Sequence, residues 1–336
     1  MVHLATYRSH SLDRGGVGRS PDVLITVAIC TFNRAESLRR TLDSLAAMRL
    51  PSDLAWEVVI VNNNSTDHTN DVIGEYFDRL PIRRECEPAP GHSNARNRAI
   101  DAAKGKYIVW TDDDVVVGSD WLRAYVEAFQ RWPDAAVFGG RIIPKFELPM
   151  EKWVAESVSV LGGPYAISDF GNDVQPLSVA ESRLPYGANF AVRAAEQRNF
   201  RYDPNLGVAP NRRRLADEID VITRLLQAGA AGYWIPAAAV EHCIGRERQT
   251  VRYIANYSAG LGETDAFRYM GDGAVSSLWL GVPRHLWARL AKRWVCYRFH
   301  RIVSPPPIWV VHLQGYARIK GMVRYWRQQK GWSRLH

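Results

Sequence analysis

The stretch GKYIVWTDDD, residues 105–114, decides how this chain is read. KYIVW (106–110) has the length and the apolar, β-branched and aromatic content of a buried strand. It runs straight into Asp112, Asp113 and Asp114. Three adjacent carboxylates at a strand end repel one another and are costly to hold without a cation. Their hard oxygens select Mg²⁺ or Mn²⁺, ions that keep positions open for substrate phosphates. Asp is also common in turns, and a solvated turn capping the next helix accounts for the triplet on its own. The apolar strand in front of it favours a site.

The same alternation extends to either side. LITVAIC (24–30) and WEVVIV (56–61) read as buried strands and IRRECE (82–87) as a weaker one. AAVFGGRII (135–143), YGANFAV (186–192) and YWIPAAAVEH (233–242) continue the series. Between them, Leu38, Leu42, Leu45 and Met48 follow at helical spacing behind a capping box of Asn33 and Glu36. Further helices run from the turn NNNSTD (62–67) through about Phe77, from a Ser93 cap to Lys104, from a Ser119 cap, and along ADEIDVITRLLQAG (216–229). Strands alternating with helices through short loops imply an α/β fold, a Rossmann-like, mostly parallel sheet with helices on both faces. Ligands in such sheets sit at the carboxyl ends of the strands. TFNR, NNNSTD and TDDD all fall there, so separate strands deliver polar chemistry to one crevice. Residues 145–185, rich in Pro, Gly and aromatics, read as a loop-built substrate wall.

Charge is unevenly distributed along the chain. The formal net charge is +8, yet residues 281–336 hold 12 Lys and Arg with no Asp or Glu, which leaves −4 on residues 1–280. A uniformly basic nucleic-acid protein is disfavoured by that split, and no nucleic-acid partner is expected. Cys30, Cys86, Cys243 and Cys296 show no CxxC or Cys/His spacing, which argues against structural zinc or a disulfide framework. No stretch approaches the ~18 apolar residues of a spanning helix. Residues 1–22 are polar and Gly-rich, lack the apolar run of a secretory signal, and read as a disordered leader. A catalytic domain over 23–250 and a helical extension over 251–336 complete the expected organisation.

Other residues suit chemistry at the same crevice. Asp217, Glu218 and Asp220 open a helix, where acids are favoured by the helix dipole alone but where a general base can also be held rigidly. His242 ends an extended run, placed either as a structural hydrogen-bonder or as a further ligand to a carboxylate-held metal. Asn62, Asn63 and Asn64 with Asp67 serve as turn formers or read a base edge with their amides. Arg96 and Arg98 are solvated surface arginines or partners of a diphosphate. Together these parts describe group transfer from a nucleotide-linked donor, with a metal at the departing diphosphate and a carboxylate activating the incoming hydroxyl.

The motifs VAICTFNRAESLRRTLDSL, VIVNNNSTD, PGHSNARNRAI, GKYIVWTDDD, YGANFAVR, DEIDVITRLLQAG and YWIPAAAVEH follow one another over residues 24–242. In that order they resemble glycosyltransferase family 2, with its GT-A fold. The resemblance implies inverting transfer of a sugar from a nucleoside diphosphate sugar to a hydroxyl of a glycan or lipid-linked acceptor, with Mn²⁺ or Mg²⁺. It implies that Cys30, Thr31, Phe32, Asn33 and Arg34, with Asn62, Asn63, Asp67 and Arg96, bind the nucleotide. Asp112, Asp113 and Asp114 are similar to the DxD motif, with Asp112 and Asp113 reaching ribose or metal and Asp114 binding metal directly. His242 matches the histidine beside the metal, Asp217 and Glu218 the acidic pair whose second member is the base, and Gly187, Ala188 and Asn189 the loop bordering donor sugar and acceptor. The family usually has Asp where this chain has Asn62, and commonly Glu-Asp where it has Asp217-Glu218. A nucleotidyltransferase shares such carboxylates but normally has a Gly/Lys-rich phosphate loop after the first strand, and CTFNRAE (30–36) is not one. A degenerate binding module is the other rival reading.

The extension carries six of the twelve Trp within residues 279–336. Leu286, Leu290, Trp294 and Tyr297 form one apolar stripe, and Leu313, Tyr316, Val323 and Trp326 another, each among Lys and Arg. Basic, Trp-rich amphipathic helices favour an anionic membrane surface; packing on the catalytic domain explains the stripes equally well but not the missing acids. The expectation is a cytoplasmic enzyme of envelope or exported polysaccharide assembly, peripheral on the inner face of the cell membrane.

Overall fold

The computed structural model of the chain describes residues 24–210, 212–271 and 277–332. The expected leader, residues 1–22, lies outside the described residues. Chain order runs β1 (Ile25–Thr31), α1 (Ala35–Ala46), β2 (Trp56–Asn62), α2 (Thr69–Gly74), β3 (Ile82–Cys86), α3 (His92–Ala102), β4 (Tyr107–Asp112), β5 (Val115–Val117), α4 (Trp121–Arg131) and β6 (Val137–Phe146). It continues with α5 (Lys152–Ser157), β7 (Gln175–Pro176), β8 (Asn189–Arg193), α6 (Ala194–Asn199), β9 (Val208–Ala209), β10 (Arg212–Arg213), α7 (Asp217–Gln227) and β11 (Gly232–Ile244). The end is helical: α8 (Val251–Gly271), a hairpin of β12 (Leu278–Trp279) and β13 (Val282–Pro283), then α9 (Arg284–Val303) and α10 (Pro306–Trp332).

The main sheet has the order β3-β2-β1-β4-β8-β6-β11-β5, with β7 on β11. Pairs β1–β2, β1–β4, β2–β3 and β6–β11 are parallel, so most residue pairing in the sheet is parallel, as expected. Along β1, Ile25, Val27 and Ile29 pack towards α1 and α4, while Ala28 packs with α3 and α7. The strand is therefore apolar on both faces, which is why it reads as a continuous hydrophobic run.

The helix caps differ from expectation. Asn33 has φ +52° and does not cap α1. Its Oδ1 accepts from the Thr66 and Asp67 backbones, its own N–H donates to Ser65, and Asp67 Oδ2 accepts from Ala35 N. The first-strand loop is thus tied to the second-strand loop, and Glu36 meets His68 instead. Ser93 and Ser119 do not cap α3 and α4, which are preceded by Gly91 and Asp120. Regular helix α2 stops at Gly74, short of Phe77.

The extension packs more than its stripes suggested. Leu313, Val323 and Trp326 of α10 are buried, and Tyr316 is half-buried. A Cβ on Gly262 of α8 would lie 1.8 Å from the Arg318 carbonyl, and one on Gly321 1.9 Å from that of Ala259, so the α8–α10 crossing needs glycine on both helices. In α9, Leu286 is buried and Leu290 and Tyr297 are partly covered. The stripe drawn from sequence is thus largely a packing face. A different apolar face is exposed: Val295, Phe299, Ile302 and Val303, together with Trp294.

Candidate active site

β1, β2 and β4 end together, with Thr31 opposite Asn62 and Cys30 opposite Asp112. The segments leaving these strand ends open on a cavity of about 1060 Å³. Cys30, Thr31, Phe32, Arg34, Asn63 and Arg96 line it, as do Asp112, Asp113 and Asp114, Gly187 and Ala188, Asp217 and Glu218, and His242. Asn33, Asn62, Asp67 and Asn189 do not.

One wall is acidic and is closed by long-range pairing. Asp113 and Asp114 form the link between β4 and β5, and β5 pairs with β11 so that Val115 lies opposite His242. Cys243 N donates to the Asp114 carbonyl at 2.8 Å, fixing the imidazole beside that carboxylate. His242 Nδ1–H donates to the Tyr165 carbonyl at 2.7 Å, which leaves Nε2 as the lone-pair nitrogen, 3.4 Å from Asp114 Oδ1. Asp113 accepts from Thr31 Oγ1 at 2.8 Å and Arg34 at 3.0 Å. Asp114 accepts from Arg34 at 2.7 Å and from Arg248, whose other Nη reaches His242 Nε2 at 2.7 Å. Burial, opposed by Arg34 and reinforced by Asp114, pushes the Asp113 carboxyl up to about 6. Burial acts on Asp114 as well, but the cationic groups around it, Arg248 and Arg34 among them, outweigh it and hold that carboxyl well below its ordinary range.

Among the described residues, no group of three or more His, Cys, Asp or Glu forms a ready-made metal cage. Asp114 Oδ1 is nevertheless buried without a hydrogen-bond partner, and His242 Nε2 is 3.4 Å away. Two donors at that spacing can share one divalent ion with ligand distances of about 2.1 Å. The donor set therefore fits a cation that displaces the Arg248 N–H from His242 Nε2 and draws its remaining ligands from phosphate oxygens and water.

Facing this wall is the start of α7. Ala216, in the left-handed region at φ +66°, turns the chain so that Asp217 and Glu218 enter the cavity. Arg96 is 2% exposed, with its guanidinium over the rings of Tyr202, Trp110 and Phe190. It reaches Asp217 at 3.2 Å, Glu218 at 3.7 Å and Asp112 at 3.9 Å. The reading of Arg96 as a solvated surface arginine gives way to a buried counter-cation for three acids that still lines the cavity, and Arg98 pairs with Glu85 on the exterior. Burial opposes the Asp217 charge, but Arg96 and His92 prevail and keep it strongly ionised. Burial and the adjacent Asp217 charge push Glu218 up to about 7, against the pull of Arg96. Glu218 Oε1 accepts only a long bond, 3.3 Å, from Gly187 N. A Cβ on Gly187 would lie 2.5 Å from Arg96 Nη2, so this loop can be that close only as glycine.

The asparagines hold loops rather than present free amides. Asn62 donates to Asn70 Oδ1 at 3.0 Å and accepts from Ser65 N at 2.8 Å. Asn63 donates to the Glu87 and Ala89 carbonyls and accepts from Gly91 N, fixing the entry to α3. Reading a base edge with both amides is not compatible with these bonds. Asn189 is fully buried behind its loop, accepting from Trp121 and Tyr125 and donating to the Arg141 and Ala238 carbonyls. It supports the loop and does not border the cavity. Sequence reasoning missed Arg248, Tyr186, and Tyr257, Leu261 and Arg318 of the extension, which also line the cavity. Tyr186 heads the motif YGANFAVR without being singled out by its residue type, Arg248 lies in the turn between β11 and α8, and α8 and α10 bring in Tyr257, Leu261 and Arg318 through tertiary packing.

Residues 26–167 match the family described as Glycosyl transferase family 2. That segment is a glycosyltransferase family 2 domain. The transferase is 25% identical over 245 residues to the succinoglycan biosynthesis protein ExoM of Rhizobium meliloti, covering 71% of this chain and 73% of that one. It is 26% identical over 223 residues to the glucosyl-dolichyl phosphate glucuronosyltransferase of Haloferax volcanii, covering 65% and 68%. Among solved structures, its fold matches the mannosyltransferase PcManGT of Pyrobaculum calidifontis in complex with GDP-Man and Mn²⁺, with TM-score 0.53 at 18% identity over 90% and 73% of the two chains. It also matches S. aureus TarS 1-349 in complex with UDP-GlcNAc, with TM-score 0.53 at 15% identity over 93% and 92%. The enzyme is a glycosyltransferase on the α/β architecture read from its sequence.

Proposed function

We propose that this glycosyltransferase moves a sugar, with inversion and with Mn²⁺ or Mg²⁺, from a nucleoside diphosphate sugar to a hydroxyl of a glycan or lipid-linked acceptor. The observation that carries the proposal is the pairing across one cavity of the Asp112–Asp114 wall with Glu218, whose carboxyl is pushed up to about 7. A carboxylate near neutral pH is matched to taking a proton from a hydroxyl as it attacks. Glu218 is that base; Asp217, kept ionised, repels its charge, and Arg96 positions both. Asp114 and His242, with Asp112, would hold the divalent ion, whose chemistry is to neutralise the departing diphosphate as a Lewis acid. Arg34 and Arg248, which already converge on Asp114, supply further positive charge for phosphate oxygens.

The names of both relatives suit assembly of an exported or lipid-linked glycan. Among the described residues no helix is long and apolar enough to cross a membrane. The exposed Trp294, Val295, Phe299 and Ile302 lie on α9 beside Arg289, Lys292, Arg293, Arg298 and Arg301, which suits docking on an anionic bilayer at the inner face of the cell membrane. Replacing Phe299 and Ile302 by Ser should release the protein from phosphatidylglycerol vesicles; unchanged binding would remove this part of the reading.

Hydrolysis and binding across a panel of nucleoside diphosphate sugars, with and without Mn²⁺, test the activity. One donor should be cleaved only with metal. If Asp114→Asn and Glu218→Gln both leave that reaction intact, the mechanism is wrong.

A further inference from the structure

The two side chains that fit a cation, Asp114 and His242, are already joined by a third. Arg248 lies in the turn Arg246–Gln249, which links β11 to α8. Its Nη1 donates to His242 Nε2 at 2.7 Å, and its Nη2 donates to Asp114 Oδ2. Because His242 Nδ1–H is committed to the Tyr165 carbonyl, Nε2 has one lone pair, which a guanidinium and a metal ion cannot share. Asp114 Oδ1 stays open, but His242 Nε2 does not. Arg keeps its charge at any working pH, so a divalent ion arriving alone meets a blocked ligand and a fixed positive charge. Tyr165, fully buried, holds both partners: its carbonyl accepts from His242, and its Oη donates to the Arg248 carbonyl at 3.4 Å. Arg248 N also donates to the Gly245 carbonyl at 3.1 Å. The backbone is thus anchored, while the side chain lines the large cavity and can turn about its own torsions.

We propose that Arg248 is a positioning residue that keeps Asp114 and His242 closed to a divalent ion until a donor diphosphate draws it away. The inference rests on the transferase reading above. With no ligand bound, Arg34 and Arg248 offset the charges of Asp113 and Asp114. A divalent ion and the diphosphate of a sugar donor carry opposite and near-equal charge, so the pair enters with the balance of this wall unchanged, whereas either alone upsets it. Phosphate oxygens accept a guanidinium in a fork, a better match than one carboxylate oxygen and an imidazole. Once on phosphate, Arg248 frees His242 Nε2 and Asp114 Oδ2, and metal and diphosphate bind with positive coupling. By linkage each raises the affinity of the other by the same factor.

The test uses the full chain. Mn²⁺ binding is followed by the EPR signal of the free ion, without nucleotide and with UDP, GDP, ADP or dTDP, the association of Mn²⁺ with each nucleotide in solution being measured separately. Wild type should bind Mn²⁺ about tenfold or more tightly with one of these nucleotides than without. Arg248→Met keeps the length of the side chain and removes its charge and donors. It should bind Mn²⁺ alone about tenfold more tightly than wild type, and the same nucleotide with saturating Mn²⁺ about tenfold more weakly. A residue that only supported the site would give the opposite sign in the first measurement, since its loss would loosen Asp114 and His242. Arg248→Lys retains the charge and should bind Mn²⁺ alone no more tightly than wild type. An Mn²⁺ affinity of nucleotide-free Arg248→Met equal to or below that of wild type overturns the proposal. Independent binding of Mn²⁺ and nucleotide to wild type overturns it as well, and that measurement needs no variant to fold. Failure of every nucleotide to bind wild type with Mn²⁺ would instead overturn the transferase reading, with the tighter Mn²⁺ binding of Arg248→Met still expected.

Discussion

The two acidic walls of the cavity are built alike and differ in one respect that assigns their roles. Each pairs a strongly ionised carboxylate with a neighbour whose proton affinity is raised, Asp114 with Asp113 and Asp217 with Glu218. In the first pair the raised member is tied down: Asp113 accepts from Thr31 and Arg34 and is 5% exposed. In the second, the Glu218 side chain is 14% exposed, lines the cavity and accepts only the long bond from Gly187. Burial and like charge raise both carboxyls, but only one is left free to move a proton. The first wall suits a fixed cation; the second suits a base.

That difference can be broken by substitution. Glu218→Gln should lower donor turnover by about 10³-fold with donor affinity unchanged, measured by steady-state kinetics and titration. A loss below tenfold would make the two walls equivalent. Arg96→Met should strand Asp217 and Glu218 without their buried cation and destabilise the fold by about 3–5 kcal/mol, read by denaturant unfolding. Asp114→Asn should lower turnover by about 10²-fold and weaken the response to Mn²⁺, whereas Asp113→Asn should act less, since Thr31 and Arg34 remain to hold the loop. The smallest effect concerns stability. Because the folded-state pKa of Glu218 is raised from 4.5 to about 7, its charge weighs against the fold as pH rises through that interval. Glu218→Gln should therefore be more stable than wild type at about pH 8, by about 1–3 kcal/mol, and no more stable near pH 4, as thermal unfolding would show.

Much of this was legible in the sequence because its signals are local. An apolar strand running into Asp112–Asp114, and acids opening α7, mark both walls in a few residues each. His242 was legible as a partner of Asp114 at a metal only through the family resemblance; what brings the two together, β11 pairing with β5 across the sheet, has no local signal. Side chains whose work is tertiary were misread. Asn33 resembles a cap and instead ties two loops, and Asn189 resembles a site residue and instead anchors the loop from behind. Arg96 looks solvent-facing by type, and only the aromatic box of Tyr202, Trp110 and Phe190 reveals it as a buried counter-ion. The extension shows the same limit: an apolar stripe does not say whether a helix or a membrane covers it. Leu313, Val323 and Trp326 pack inward, while Phe299 and Ile302 remain outside.

The central claim is that Glu218 is the base, and the pH dependence of kcat/KM for metal-dependent donor turnover tests it most directly. The base must be ionised to accept a proton, so activity should fall as pH falls through about 7, with the slope of a single titration. A profile flat from about pH 5.5 to about pH 8.5 would contradict it.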